Sequence, residues 1–152
     1  MSHFLGAYIL RPLRDGRTRV VRESFGYRAS SVPCTIMVPV GFKTDLASIP
    51  RLAWSLMPPM GRYEAAAVVH DWLYWSQELC REDADAVFLD AMIYSGVGIV
   101  SRTIIHRAVR MFGGFAWRAN AAARSQGETR MYDEHTDIFL AAHHHLPPDG
   151  LA

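Results

Sequence analysis

AAVVHDWLYWSQELCREDADAVFLDAM (Ala66–Met92) contains neither proline nor glycine and reads as two helices. The first runs from Tyr63 to about Gln77 and is rich in alanine. The second runs from Glu82 to about Ser95, with Ala86, Leu89 and Ile93 on one face and Phe88 and Met92 beside them. So short a connection makes the two helices antiparallel neighbours. Ala66, His70 and Tyr74 are spaced i, i+4, i+8 and stack on one face of the first helix. Asp71 is rotated by about 100° from His70. Asp85, three residues ahead of Phe88, is placed to face His70 across the pair.

A third helix follows from Ser101 to about Arg124, its apolar stripe running through Ile105, Val109 and Phe112 with Trp117 further on. Gly113-Gly114 lies inside it. Each glycine costs about 1 kcal/mol relative to alanine, so a kink or break is expected there. Upstream, residues 7–40 read as β. Tyr8-Ile9-Leu10, Arg19–Arg22, Phe25-Gly26-Tyr27 and Thr35–Val40 are extended runs, and Asp15-Gly16 is a hairpin cue within a longer loop. Residues 41–62 are mostly loop, with a short helix starting near Ser48 and Pro50 and ended by Pro58-Pro59. After Gln126 the chain turns polar. The expected architecture is α+β: a small N-terminal antiparallel β region followed by three main helices, two of them an antiparallel pair. Residues 1–126 form one domain and 127–152 a peripheral C-terminal tail.

A chain of 152 residues with 50% hydrophobic and 20% charged residues buries a full core without staples. This excludes a disordered chain, a collagen-like repeat and a coiled coil. Two cysteines, Cys34 and Cys80, exclude a disulfide scaffold and are expected as buried thiols. A net charge of +1 gives no ground for a specific nucleic-acid partner. The N-terminus lacks the pattern of a signal peptide. The longest apolar window, Ala86–Val100, is broken by Asp90 and is too short to span a membrane. The expected location at synthesis is the cytoplasm.

The chemistry sits in the middle. A histidine bonded to a buried carboxylate is held in one tautomer and suits general-base work near neutral pH. Asp71, in the next sector, is free for a hard-oxygen site suited to calcium, which would polarise an ester carbonyl while His70 deprotonates a water. The plainer alternative makes His70 a core histidine, Asp71 a surface charge and Asp85 a first-turn acid favoured by the helix dipole.

Two resemblances follow from these residues. VPVGFKTDLASIPR (Val38–Arg51), HDWLY (His70–Tyr74) and ADAVFLDAM (Ala84–Met92), in that order, resemble a domain-of-unknown-function family, number 1353, of tailed phages and prophages. The resemblance covers about residues 35–115. It implies a phage or prophage origin and brings no settled activity. His-Asp-x-x-Tyr followed by an Asp-x-x-Phe helix is also similar to the phospholipase A₂ core, including the disulfide-free form of parvovirus capsids. That similarity implies His70 as the base, Asp71 as the calcium ligand, and Tyr74 and Asp85 as braces of the histidine. The calcium loop of those enzymes is glycine-rich, whereas WSLMPPMGRY (Trp54–Tyr63) offers only Gly61; Asp45 is the substitute ligand to consider.

Fifteen of the sixteen basic residues are arginines, and Ala91–Gly127 holds five of them with no acid. Arg102, Arg107 and Arg110 point to an anionic membrane surface. Alternatively, the helix pairs with the acidic middle, Glu78, Glu82, Asp83, Asp85 and Asp90. His143-His144-His145 reads as solvated. Trp54, Trp72, Trp75 and Trp117, with Met57, Met60 and Met111, read as core or interface. Two functions are carried forward. One is a phage-encoded, calcium-assisted phospholipase A₂-like hydrolase using a His70–Asp85 dyad. The other is a tail or neck protein, bound to other phage structural proteins or to itself, in which the His-Asp network is structural.

Overall fold

The computed structural model describes residues 1–45 and 63–133. Its strands are short: β1 (His3–Leu5), β2 (Leu10–Pro12), β3 (Arg19–Val21), β4 (Phe25–Arg28), β5 (Thr35–Val38) and β6 (Lys43–Thr44). They form two antiparallel three-stranded sheets, ordered β1-β4-β5 and β2-β3-β6. Three helices follow: α1 (Glu64–Ser76), α2 (Arg81–Tyr94) and α3 (Ile99–Ser125). The α+β class and the packed helix pair are those expected. The Asp15-Gly16 turn joins β2 to β3. There the Asp15 carboxylate accepts the Arg17 and Thr18 amides, and Gly16 takes a positive φ. The sequence reading missed β1 and β6, each too short to show a period.

α1 is the central element. Ten of its thirteen residues are buried, including the run Ala65–Asp71, as expected for a helix covered on all sides. It packs against α2, α3, β5 and β6. It ends at Gln77, in the left-handed region at φ 54°. The Gln77 side chain donates to the Trp117 carbonyl at 2.8 Å, so this strained cap is tied to α3. Asp90 of α2 reaches back to the β region: Ser2 Oγ, Tyr27 Oη and the Ser30 amide all donate to its Oδ2.

Three expectations are corrected. The buried face of α2 runs through Ala84, Asp85, Val87, Phe88, Ala91 and Met92, while Ile93 is exposed. The face is thus rotated from the Ala86–Leu89–Ile93 stripe so that Asp85 points inward. α3 is unbroken at its glycines, and its buried stripe is Ile105, Val109, Gly113 and Asn120, with Phe112 outside. Tertiary packing overrides propensity here, because Tyr74 fills the space a side chain at 113 would need. Cys34 and Cys80 are exposed free thiols, the latter at the start of α2. The helix expected near Ser48–Pro50, together with Trp54, Met57, Met60, Gly61 and His143–His145, lies outside the described residues. Among the described residues, no helix is long and apolar enough to cross a membrane.

Candidate active site

Helix spacing stacks Ala66, His70 and Tyr74 toward α2 and α3, and all three are fully buried. Asp85 meets them from the first turns of α2, also without exposure. Its Oδ1 is 3.0 Å from His70 Nε2 and accepts the Tyr74 hydroxyl at 2.7 Å. Its Oδ2 faces two guanidinium groups: Arg81, one turn before it at 3.4 Å, and Arg110 of α3 at 3.3 Å. Arg81 also donates to the Arg110 carbonyl at 3.2 Å. The His70 ring stacks on Phe88 at 4.5 Å between centroids and lies 4.2 Å from the Tyr74 ring.

The electrostatics follow from this geometry. Burial alone pushes the Asp85 carboxyl up. The bonds from His70 and Tyr74 and the charge of Arg81 outweigh it, so its pKa lies below the ordinary carboxylate range. Burial, reinforced by Asp85, drives the Tyr74 phenol well above its ordinary value and keeps it a neutral donor. An ionised carboxylate can only accept, so Nε2 of His70 carries the proton toward Asp85. In neutral His70 the lone pair is then on Nδ1. That nitrogen is buried and has no hydrogen-bond partner among the described residues.

Asp71 faces the other way, as its position one residue on requires. It is fully buried rather than a surface charge. Thr44 Oγ1 donates to its Oδ2 at 2.5 Å, and Arg130 Nη1 lies 3.5 Å from Oδ1 and 3.4 Å from Oδ2. The same Nη1 is 4.0 Å from Asp45 Oδ1. The two carboxylates weighed as calcium ligands therefore do converge, but on a guanidinium. This donor set does not fit calcium, because both Asp71 oxygens are engaged and a fixed cation already sits between the acids. Among the described residues, no three His, Cys, Asp or Glu side chains form a cluster able to hold a metal.

Arg130 is held from several sides. Its ring neighbour is Trp75, 5.3 Å from Cζ to centroid, and its Nη2 donates to Asn120 Oδ1 at 3.2 Å. Asn120 in turn donates to the Tyr74 carbonyl. The backbone of residues 130–132 lies along 41–43: the Lys43 amide donates to Arg130 O and the Tyr132 amide to Gly41 O.

The sequence brought His70, Tyr74, Asp85, Asp71 and Asp45 into consideration. Arg110 entered the site only through the alternative that its helix pairs with the acidic middle, and it does meet Asp85 and Glu82 there; Arg81, Thr44, Asn120 and Arg130 were not among them. Arg81 was within reach of sequence reasoning, since it stands four residues before Asp85 on the same helix. The others approach from distant segments.

The model of the family described as Protein of unknown function (DUF1353) matches residues 19–109. The chain belongs to that family. No curated protein and no solved structure matches it. The region shared with DUF1353 holds His70, Asp71, Tyr74, Arg81 and Asp85 and stops one residue short of Arg110. Gly113 and Arg130 lie beyond it.

Proposed function

We propose that this DUF1353 protein is a phage-encoded ester hydrolase, acting on phospholipid esters, in which His70 is the general base and Asp85 its orienting carboxylate. The observation that carries this reading is the unpartnered Nδ1 of His70, opposite an Nε2 committed to an ionised Asp85. Water would attack the ester carbonyl carbon and pass its proton to Nδ1. The carbon–oxygen bond to the alcohol then breaks, and the same proton returns to the departing alkoxide, giving free acid and alcohol. Tyr74, a neutral donor to Asp85, keeps that carboxylate in place. Arg130 rather than calcium neutralises Asp71, so turnover is metal-independent.

The test is fatty-acid release from mixed anionic and zwitterionic vesicles, with calcium and with chelator, by wild type, His70→Ala and His70→Ala/Asp85→Ala. Release is expected in wild type, undiminished by chelator. It is expected to be lost equally in the single and double variants, because residues acting as a unit are non-additive. Equal release by wild type and a folded His70→Ala would end the proposal.

The second reading is a particle protein, and the complete burial of His70 and Asp85 favours it. There the network of Asp85 with Tyr74, Arg81 and Arg110 pins three helices together. Absence of release in every condition, with the protein recovered in purified particles, would select it.

A further inference from the structure

The outward face of α3 is left unexplained by the dyad. Val100, Met111 and Phe115 are 68%, 74% and 77% exposed, with Ile104 between them on the same side, and Phe112, 61% exposed, flanks them one position round the helix. At helical spacing, Val100, Ile104, Arg107, Met111, Phe115 and Arg118 form one strip opposite the buried Ile105–Val109–Gly113 face. Large apolar side chains grouped on one exposed helix face mark a contact surface.

The arginines sort by direction. Arg102 donates to the Val97 carbonyl, Arg110 faces Asp85, and Arg124 donates to the Trp75 and Ser76 carbonyls. Arg107 and Arg118 make no hydrogen bond or ion pair among the described residues and sit on the outward strip. The charge expected of Arg102, Arg107 and Arg110 as a group is thus delivered outward by Arg107 and Arg118.

We propose that this strip is a docking surface for an anionic lipid bilayer, with the helix lying in the interface plane. Met111 and Phe115 would enter the acyl boundary, with Phe112 at its edge, while Arg107 and Arg118 meet headgroup phosphates. Charge decides the occupant. Residues 91–127 contain no acid, so a second copy packed through the same strip would bring two arginines per chain into an apolar seam with no acid on either helix to meet them. A specific protein partner needs hydrogen-bonding side chains at its rim. Those of the strip are Arg107 and Arg118, cationic donors with no acceptor beside them among the described residues, which a surface of phosphates meets wherever they fall. The surface stands on α3 alone, so binding is independent of whether His70 hydrolyses anything.

The experiment is sedimentation of the full chain with vesicles of phosphatidylglycerol and, separately, of phosphatidylcholine. Wild type, Arg107→Gln/Arg118→Gln, Phe112→Ser/Phe115→Ser and His70→Ala are compared, with far-UV circular dichroism as a check of fold. Wild type is expected to pellet with phosphatidylglycerol, more weakly with phosphatidylcholine, and less as salt rises. An arginine near an anionic surface contributes a factor of about five, so the double arginine variant should partition about 25-fold less. The double phenylalanine variant should lose about tenfold or more. His70→Ala should bind like wild type, which separates this surface from the catalytic proposal. No pelleting with phosphatidylglycerol, or pelleting unchanged in the folded double variants, overturns the proposal. So does a dimer that Phe112→Ser/Phe115→Ser dissociates, which would assign the strip to a second copy.

Discussion

The phenol of Tyr74 lies against the bare backbone of Gly113, in the space a side chain at that position would take. A Cβ built there would collide with the hydroxyl and stand 3.2 Å from Cζ. The same hydroxyl donates to Asp85 at 2.7 Å, so at Gly113 α3 meets α1 through a ring that also braces the dyad.

Two neighbouring substitutions should therefore part company. Glycine to alanine inside a helix gains up to about 1 kcal/mol when nothing obstructs it. At Gly114 the nearest atom is Arg118 Nη1, at 3.7 Å and on a flexible side chain, so Gly114→Ala is expected to raise the thermal midpoint. Gly113→Ala must push Tyr74 away and should destabilise by about 1–3 kcal/mol. Paired thermal melts settle the matter, and a Gly113→Ala variant as stable as wild type would contradict the packing described.

Asp85 carries the heavier load. Replacing it by Asn leaves Arg81 and Arg110 without their shared buried anion and gives His70 and Tyr74 a neutral amide oxygen in place of a carboxylate. A cost of about 3–5 kcal/mol is expected, the range for breaking a buried ion pair by removing one partner. Tyr74→Phe removes one hydrogen bond and should cost about 0.5–1.5 kcal/mol. Urea midpoints of the two variants give the ratio directly. Near-equal losses would mean that the arginines contribute little.

Stability should fall on both sides of neutrality. Asp85 and Asp90 both lie below the ordinary carboxylate range: burial raises each, and hydrogen bonds from His70 and Tyr74, or from Ser2, Ser30 and Tyr27, outweigh it. A carboxyl depressed by folding stabilises above its unfolded pKa of about 4 and loses that contribution as pH falls through the folded value. His106, lowered mainly by burial, adds a loss that begins nearer neutrality. Tyr74, raised by burial and Asp85, acts at the other end. Its contribution is complete below about pH 10 and is lost as pH rises through the folded value. Urea midpoints measured across pH should show both limbs, with the acid limb shallower in Asp90→Asn. A pH-independent midpoint would refute the assignment.

How much of this was legible beforehand varied with sequence distance. The i, i+4 spacing of His70 and Tyr74 and the short link to α2 sufficed to bring Asp85 to His70, because helix geometry is local. Which face of α2 and α3 turned inward was not legible, since Phe112 is more apolar than Gly113 and only the Tyr74 ring reverses that choice. Cys80 is exposed because it stands at the start of a helix, a position hydrophobicity alone does not weigh. Arg110 meets Asp85 across 25 residues, a pairing that the opposite charges of the two segments had offered, whereas Arg130 reaches Asp71 across 59 residues, where no periodicity operates. Asp45 and Asp71 do converge on one cation, and the residue that supplies it lies in the segment read as a peripheral tail.

That cation gives the last prediction. A bound ligand raises stability by RT ln(1 + [L]/Kd), so millimolar calcium should raise the thermal midpoint measurably if Asp71 and Asp45 took the ion. With Arg130 Nη1 3.4 Å from Asp71 and 4.0 Å from Asp45, calcium has to displace a fixed charge. Wild type is therefore expected to melt at the same temperature in calcium and in chelator. Arg130→Met removes the charge while keeping much of the side chain over Trp75. It takes the guanidinium away from the fully buried Asp71 and should destabilise by about 1–3 kcal/mol, the cost of removing one partner of a buried acceptor. Calcium should restore part of that loss in Arg130→Met alone, because only there has the guanidinium between Asp71 and Asp45 been removed. A rise of several degrees in wild type would return Asp71 to the role of calcium ligand. If Arg130→Met melted like wild type in both conditions, the guanidinium would not be what neutralises Asp71.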